Sequence, residues 1–151
     1  MERAWEAETK SFRSPERKRE GLNGMFISVR SGKSLGDVRQ KFEEAAAERK
    51  FGVQGIHNVT ANLQSKGLVF DRKLYIYEVC NPGAAKTVLD TNIRIGTALP
   101  CRVSIYTDGK EVVLETIKPT VMLKMFNEPT LENTAKEVEK VIGEILAAAA
   151  K

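Results

Sequence analysis

The sequence predicts an α+β fold: a largely antiparallel curved sheet packed against a first helix and a long C-terminal helix. Strand-like segments outnumber long helical ones, and the apolar faces of the helices need a sheet to cover. The pair Asp108-Gly109 lies between two alternating segments, which is the strongest local pattern for an antiparallel hairpin. With 151 residues, 42% of them hydrophobic, the chain has the size and composition of one globular domain.

The predicted order is a strand, a helix, four strands with short helical inserts, and a long helix. The strand segments alternate in polarity or are rich in β-branched and aromatic residues. They cover residues 25–30, 51–56, 74–79, 102–106 and 111–117. Tyr75 and Tyr77 fall on one face of the third strand, where a half-buried sheet face is the simplest interpretation.

The helices are predicted from apolar spacing and from residues that cap helix ends. Ser34, with Asp37 three positions later, opens the first helix over residues 35–50. Thr130 is predicted to open the long helix, after a short helix that follows Pro119. Two further short helices are predicted at residues 58–63 and 83–90.

Residues 1–24 differ from the remainder and predict a flexible charged extension before a domain spanning 25–151. The longest strongly apolar stretch, residues 145–150, is far shorter than the roughly 20 residues of a membrane span. With no signal-like segment at the start, a cytoplasmic protein is expected. The net charge is only +4, and the basic residues are interspersed with acidic ones along the chain. This distribution disfavours a nucleic-acid partner.

One segment that could take part in binding or catalysis is Cys80-Asn81-Pro82, at the end of a predicted strand. Asn81 is a good N-cap and Pro82 a favoured first helical residue, so Cys80 should precede a helix N-terminus that favours its thiolate. Cys101 should begin a neighbouring strand. Three interpretations stay open: two thiols that only pack, a functional thiol pair, and a polar-ligand site at Asn81 and the adjacent amides.

His57 is the one histidine of the sequence and could join Cys80 and Cys101 as a third metal ligand. Covalent haem attachment through a CxxCH motif is absent, whereas non-covalent haem held by a thiolate, His or Met stays open. Met122 and Met125 are interpreted as core residues.

The segments Cys80-Asn81-Pro82 and Leu99-Pro100-Cys101, with Gly96 and the following hairpin, resemble domain-of-unknown-function family 302. The resemblance covers roughly residues 25–146. It implies a TATA-binding-protein-like α+β fold and a homodimer, and no established chemistry. Ile56-His57 departs from the family pattern, in which an Ile-Asp pair is common.

The sequence therefore favours a non-enzymatic, homodimeric domain that binds a small ligand, a metal or haem, while leaving the cofactor unidentified and enzymatic activity undecided. A space between the curved sheet and the long helix is the expected pocket. The predicted binding residues are Cys80, Asn81, Pro82, Pro100 and Cys101. The alternative is a thiol redox or sulfur-transfer protein with Cys80 as nucleophile and Cys101 as resolving thiol. A scaffold that docks a partner protein is a third class.

Overall fold

The computed structural model describes residues 23–151, which form a five-stranded sheet in the order β1-β5-β4-β3-β2. Every neighbouring pair is antiparallel, so the predicted α+β class and sheet type are confirmed. The strands are β1 (Phe26–Ser31), β2 (Gly52–Asn58), β3 (Leu74–Cys80), β4 (Cys101–Asp108) and β5 (Glu111–Ile117).

The helices are α1 (Leu35–Glu48), α2 (Val59–Ser65), α3 (Pro82–Thr91), α4 (Pro119–Lys124) and α5 (Glu132–Ala150), with 3-10 turns at Asn23–Met25, Ile93–Ala98 and Pro129–Leu131. The predicted cap of α1 is confirmed, because Ser34 Oγ accepts a hydrogen bond from the Asp37 amide at 3.2 Å. The predicted opening of α5 by Thr130 is wrong. The chain enters α5 through the last 3-10 turn, and the residue before the helix, Leu131, already has helical dihedral angles.

The main hydrophobic core lies between one face of the sheet and the helices α1 and α5. Phe42 of α1 packs against Tyr77 of β3 with ring centroids 4.9 Å apart and the rings inclined at 64°. Tyr75 lies on the same face, and the Arg39 guanidinium stacks 3.6 Å above its ring. The two tyrosines are therefore part of a packed sheet face, as their spacing predicted.

A second, smaller cluster lies where β3 ends and β4 begins. Its buried members come from α3 and the 3-10 turns: Val88, Ile95 and Leu131. Leu89, Leu99, Leu123 and Phe126 pack around them. Met125, predicted to fill the core, is 72% exposed because it follows the last residue of α4, on the outside of this cluster.

The β4–β5 hairpin is confirmed, with Asp108 opposite Glu111 and Gly109 at a φ of +61°. Glycine adopts this left-handed conformation without a steric cost, which explains its place in the tight turn. The predicted extension, residues 1–24, lies outside the described residues except for Asn23 and Gly24. From residue 23 onward, no helix is long and apolar enough to cross a membrane.

Candidate functional site

A cavity of about 330 Å³ separates the main core from the smaller cluster. Val79 and Cys101 border it from the sheet and Val138 from α5, while Val88 of α3 and Phe126 after α4 border it from the other side. The cavity thus touches the sheet and the long helix, where a pocket was expected. Its opposite wall comes from α3, the 3-10 turn Ile93–Ala98 and α4, which the sequence did not place there.

Both cysteines border this cavity and both are free thiols. Cys80 is the last residue of β3 and Cys101 the first of β4, so the two strands bring them to the same end of the sheet. They are not direct partners in the sheet, because Cys101 lies opposite Val79.

The environment of the two sulfurs favours thiols over thiolates. Burial raises the pKa of Cys80. Burial and, to a smaller extent, the nearby Cys80 raise the pKa of Cys101 to about 11. The pKa of Cys80 is thus shifted in the direction opposite to the one expected from its place before α3, because the sulfur has lost solvent.

The other predicted binding residues divide into two groups. Asn81 and Pro100 border the cavity. Asn81 is also the N-cap of α3, with its Oδ1 accepting a hydrogen bond from the Ala84 amide at 3.0 Å. Pro82 occupies the first turn of α3, is exposed and is not part of the cavity wall.

His57 does not join the cysteines. The sheet places it opposite Ile76, four residues before Cys80, and its Nε2 lies 3.2 Å from Glu78 Oε1. Within residues 23–151, no three His, Cys, Asp or Glu side chains come together in a way that could hold a metal ion. The proposed ligand set of His57, Cys80 and Cys101 is therefore not assembled, because register separates the imidazole from the thiols.

Near the cysteines, the structure pairs two charged residues, Arg102 and Glu78. They are opposite each other on β4 and β3, and Arg102 Nε lies 3.7 Å from Glu78 Oε1. Gly55 of β2 leaves room for this carboxylate, since a Cβ at Gly55 would lie 2.9 Å from Glu78 Oε2. The sequence contains a signal for this ion pair, because residues of opposite charge lie two positions before Cys80 and one position after Cys101.

A family model described as "Domain of unknown function DUF302" matches residues 27–149. The chain belongs to the DUF302 family. The resemblance seen in the Cys80-Asn81-Pro82 and Leu99-Pro100-Cys101 segments is thereby confirmed.

A solved DUF302 structure supports the same assignment. The crystal structure of an uncharacterized conserved DUF302 protein from Bacillus stearothermophilus is similar to this chain with a TM-score of 0.80 and 31% sequence identity. The alignment covers 84% of this chain and 98% of that one. No protein with a curated description matches significantly.

Proposed function

We propose that this DUF302 domain is a binding module for a small apolar molecule, held in the cavity between its two hydrophobic clusters. The observation that carries the proposal is the cavity itself, about 330 Å³ and bordered largely by aliphatic and aromatic side chains. That volume lies at the lower end of the roughly 300–1,000 Å³ of small-molecule sites. Unfilled apolar volume is energetically unfavourable, so an apolar ligand that occupies it stabilises the fold.

Three of the polar side chains around the cavity already have hydrogen-bond partners within the protein, which favours an apolar occupant. Asn81 caps α3. The Thr97 hydroxyl donates to the Arg94 carbonyl at 2.8 Å, and the Thr116 hydroxyl donates to the Arg102 carbonyl at 2.7 Å. A ligand therefore does not have to satisfy these groups on entering, and the contacts it gains are mainly dispersion and burial of apolar surface.

The thiols fit the role of wall residues in this proposal. A nucleophilic Cys80 needs a substantial thiolate fraction, and burial acts in the opposite direction on its pKa. A resolving role for Cys101 meets the same obstacle more strongly, with a pKa of about 11. We therefore propose binding without catalysis, and the thiol-transfer hypothesis has no supporting observation in the site.

Octanol is a suitable probe, because it is small and uncharged and most of its surface is an apolar alkyl chain. Titration of the full chain, followed by amide chemical shifts, is expected to show saturable changes concentrated in α3 and β4. Ala85→Leu places a larger side chain into the cavity wall and should abolish these changes. Ala47→Leu, the same substitution on the exposed side of α1, is the matched control and should leave them intact. Octanol that binds both variants equally, or fails to bind the unaltered chain, refutes the proposal.

The homodimer and the cytoplasmic location remain part of the proposal. Within residues 23–151, β2 is an edge strand with no neighbour on one side, and Val53 and Ile56 are exposed large hydrophobic residues on it. An exposed strand edge of this kind can pair with the same edge of a second copy. Light scattering on the full chain measures the mass directly, and a monomer at high concentration would exclude the dimer.

A further inference from the structure

The connection between α2 and β3 carries the most exposed of the large hydrophobic side chains in residues 23–151. We call this connection, residues 66–73, the tip loop. In it, Val69 is 90% exposed and its neighbour Leu68 is 56% exposed. Single apolar residues are common on protein surfaces, so this pair gains meaning only from its surroundings. From those surroundings we infer that the tip loop docks the protein onto an anionic lipid surface.

Hydrogen bonds fix both ends of the tip loop. At its start, the Leu68 amide donates to the Leu63 carbonyl at 3.0 Å, which closes the end of α2. At its other end, the Thr60 hydroxyl donates to the Arg72 carbonyl at 2.8 Å. Val69 is therefore exposed in a loop with anchored ends, and the fold itself presents this apolar side chain to the surroundings.

The charges on and beside the tip loop complement an anionic partner. The loop has three cations and one carboxylate: Lys66, Arg72, Lys73 and Asp71. The β4–β5 hairpin lies beside the loop, because Lys73 and Thr107 exchange two hydrogen bonds of 3.0 Å. The turn of this hairpin adds another exposed cation, Lys110.

The carboxylates of the hairpin do not cancel this excess of positive charge. Asp108 lies 3.0 Å from Arg30 and 3.7 Å from Arg72, and Glu111 lies 3.8 Å from Arg30. With these groups included, five cations stand against three carboxylates at this end of the sheet. Among residues 23–151, three of the cations form no ion pair: Lys66, Lys73 and Lys110. Basic residues of this kind are attracted to anionic lipid head groups.

A lipid surface fits the tip loop better than a protein partner does. A stable protein interface buries roughly 800 Å² on each partner, far more than two side chains supply. Docking onto a lipid surface needs only a few apolar side chains at the acyl boundary and cations at the level of the head groups. The tip loop precedes β3, whereas the cavity lies where β3 ends, so docking leaves the cavity accessible to its ligand.

Sedimentation of the full chain with lipid vesicles tests this inference. Vesicles of phosphatidylcholine mixed with phosphatidylserine should bind the chain about tenfold or more tightly than vesicles of phosphatidylcholine alone. Added salt should weaken this binding, because it screens exposed charges. Val69→Asp should weaken it about tenfold or more, since the variant loses an apolar side chain and gains a charge of the same sign as the lipid. Lys73→Gln should weaken it about fivefold.

Two variants at the other end of the sheet are matched controls. Ile93→Asp changes a hydrophobic residue that is 76% exposed, and Lys124→Gln changes an exposed lysine of α4. Both should bind the mixed vesicles as the unaltered chain does. Circular dichroism should show the same fold in all variants, because each change is made at an exposed side chain.

The inference is overturned if the mixed vesicles fail to bind the chain, or if both kinds of vesicle bind it equally. Equal weakening by Val69→Asp and Ile93→Asp also overturns it, because binding would then not depend on the tip loop. Light scattering on Val69→Asp covers the remaining case. A fall in mass relative to the unaltered chain, without vesicle binding by either protein, would make the tip loop a contact between two copies of the chain.

Discussion

The main core and the cavity wall of this DUF302 domain each contain a pair of adjacent alanines, and the two pairs affect packing differently. In the main core, Ala45 and Ala46 of α1 are buried among large side chains, and their small size lets helix and sheet pack without a gap. In the wall of the cavity, Ala84 and Ala85 of α3 are only half-buried, and their small size leaves volume unfilled. The core over the middle of the sheet is therefore densely packed, whereas the end of the sheet borders unfilled volume.

The largest expected difference between the regions comes from removing an aromatic ring. Phe42→Ala should lower the free energy of unfolding by about 3–5 kcal/mol, because Phe42 is 1% exposed and packs against Tyr77. Phe126→Ala, in the smaller cluster beside existing empty volume, should cost roughly half as much or less. Urea unfolding of both variants measures this. Equal losses would show that the smaller cluster is packed as tightly as the main core.

Alkaline pH should destabilise the fold through Cys101, at the boundary of the two regions. Its folded-state pKa of about 11 lies above the ordinary value of 9.0, so the folded state holds the proton more tightly. The stabilisation is complete below about pH 9 and is lost as pH rises to about 11. The loss is at most about 3 kcal/mol.

The free energy of unfolding should therefore fall less between about pH 8 and about pH 11 in Cys101→Ala than in the unaltered chain. Chemical denaturation under reducing conditions at the two pH values measures this. Tyr77, whose pKa burial raises to about 12, contributes equally in both proteins and cancels in the comparison. If Cys101→Ala loses as much stability at alkaline pH as the unaltered chain, groups other than Cys101 cause the loss.

The smallest expected effects come from enlarging alanines. Ala46→Leu forces extra atoms into a filled core and should cost about 1–3 kcal/mol. Ala85→Leu enters empty volume and should change the free energy of unfolding by about 0.5 kcal/mol or less. Chemical denaturation of the two variants side by side is the measurement. A large loss in Ala85→Leu would mean that the cavity wall cannot accept a longer side chain.

Most of the fold could be predicted from local sequence patterns. The hairpin follows from Asp108-Gly109, and the starts of α1 and α3 follow from Ser34 and Asn81, because turn and cap chemistry acts over a few residues. The start of α5 was misplaced because a 3-10 turn can lead into a helix without a side-chain cap.

The site was predictable only in part, for a different reason. Cys80, Asn81, Pro100 and Cys101 do border the cavity. His57 was grouped with the cysteines on residue type alone, and strand register moves it to Glu78 instead. Which helices close the cavity is a long-range property that no local pattern contains.

Residues 81–100 leave the sheet at the end of β3 and return at the start of β4, two strands that are direct neighbours. A tight turn could have joined these strands. The segment that walls the cavity is in this sense an insertion into a hairpin, anchored at both ends by the sheet. Because both of its ends are fixed in the sheet, changes in its length or composition need not alter the register of β3 against β4.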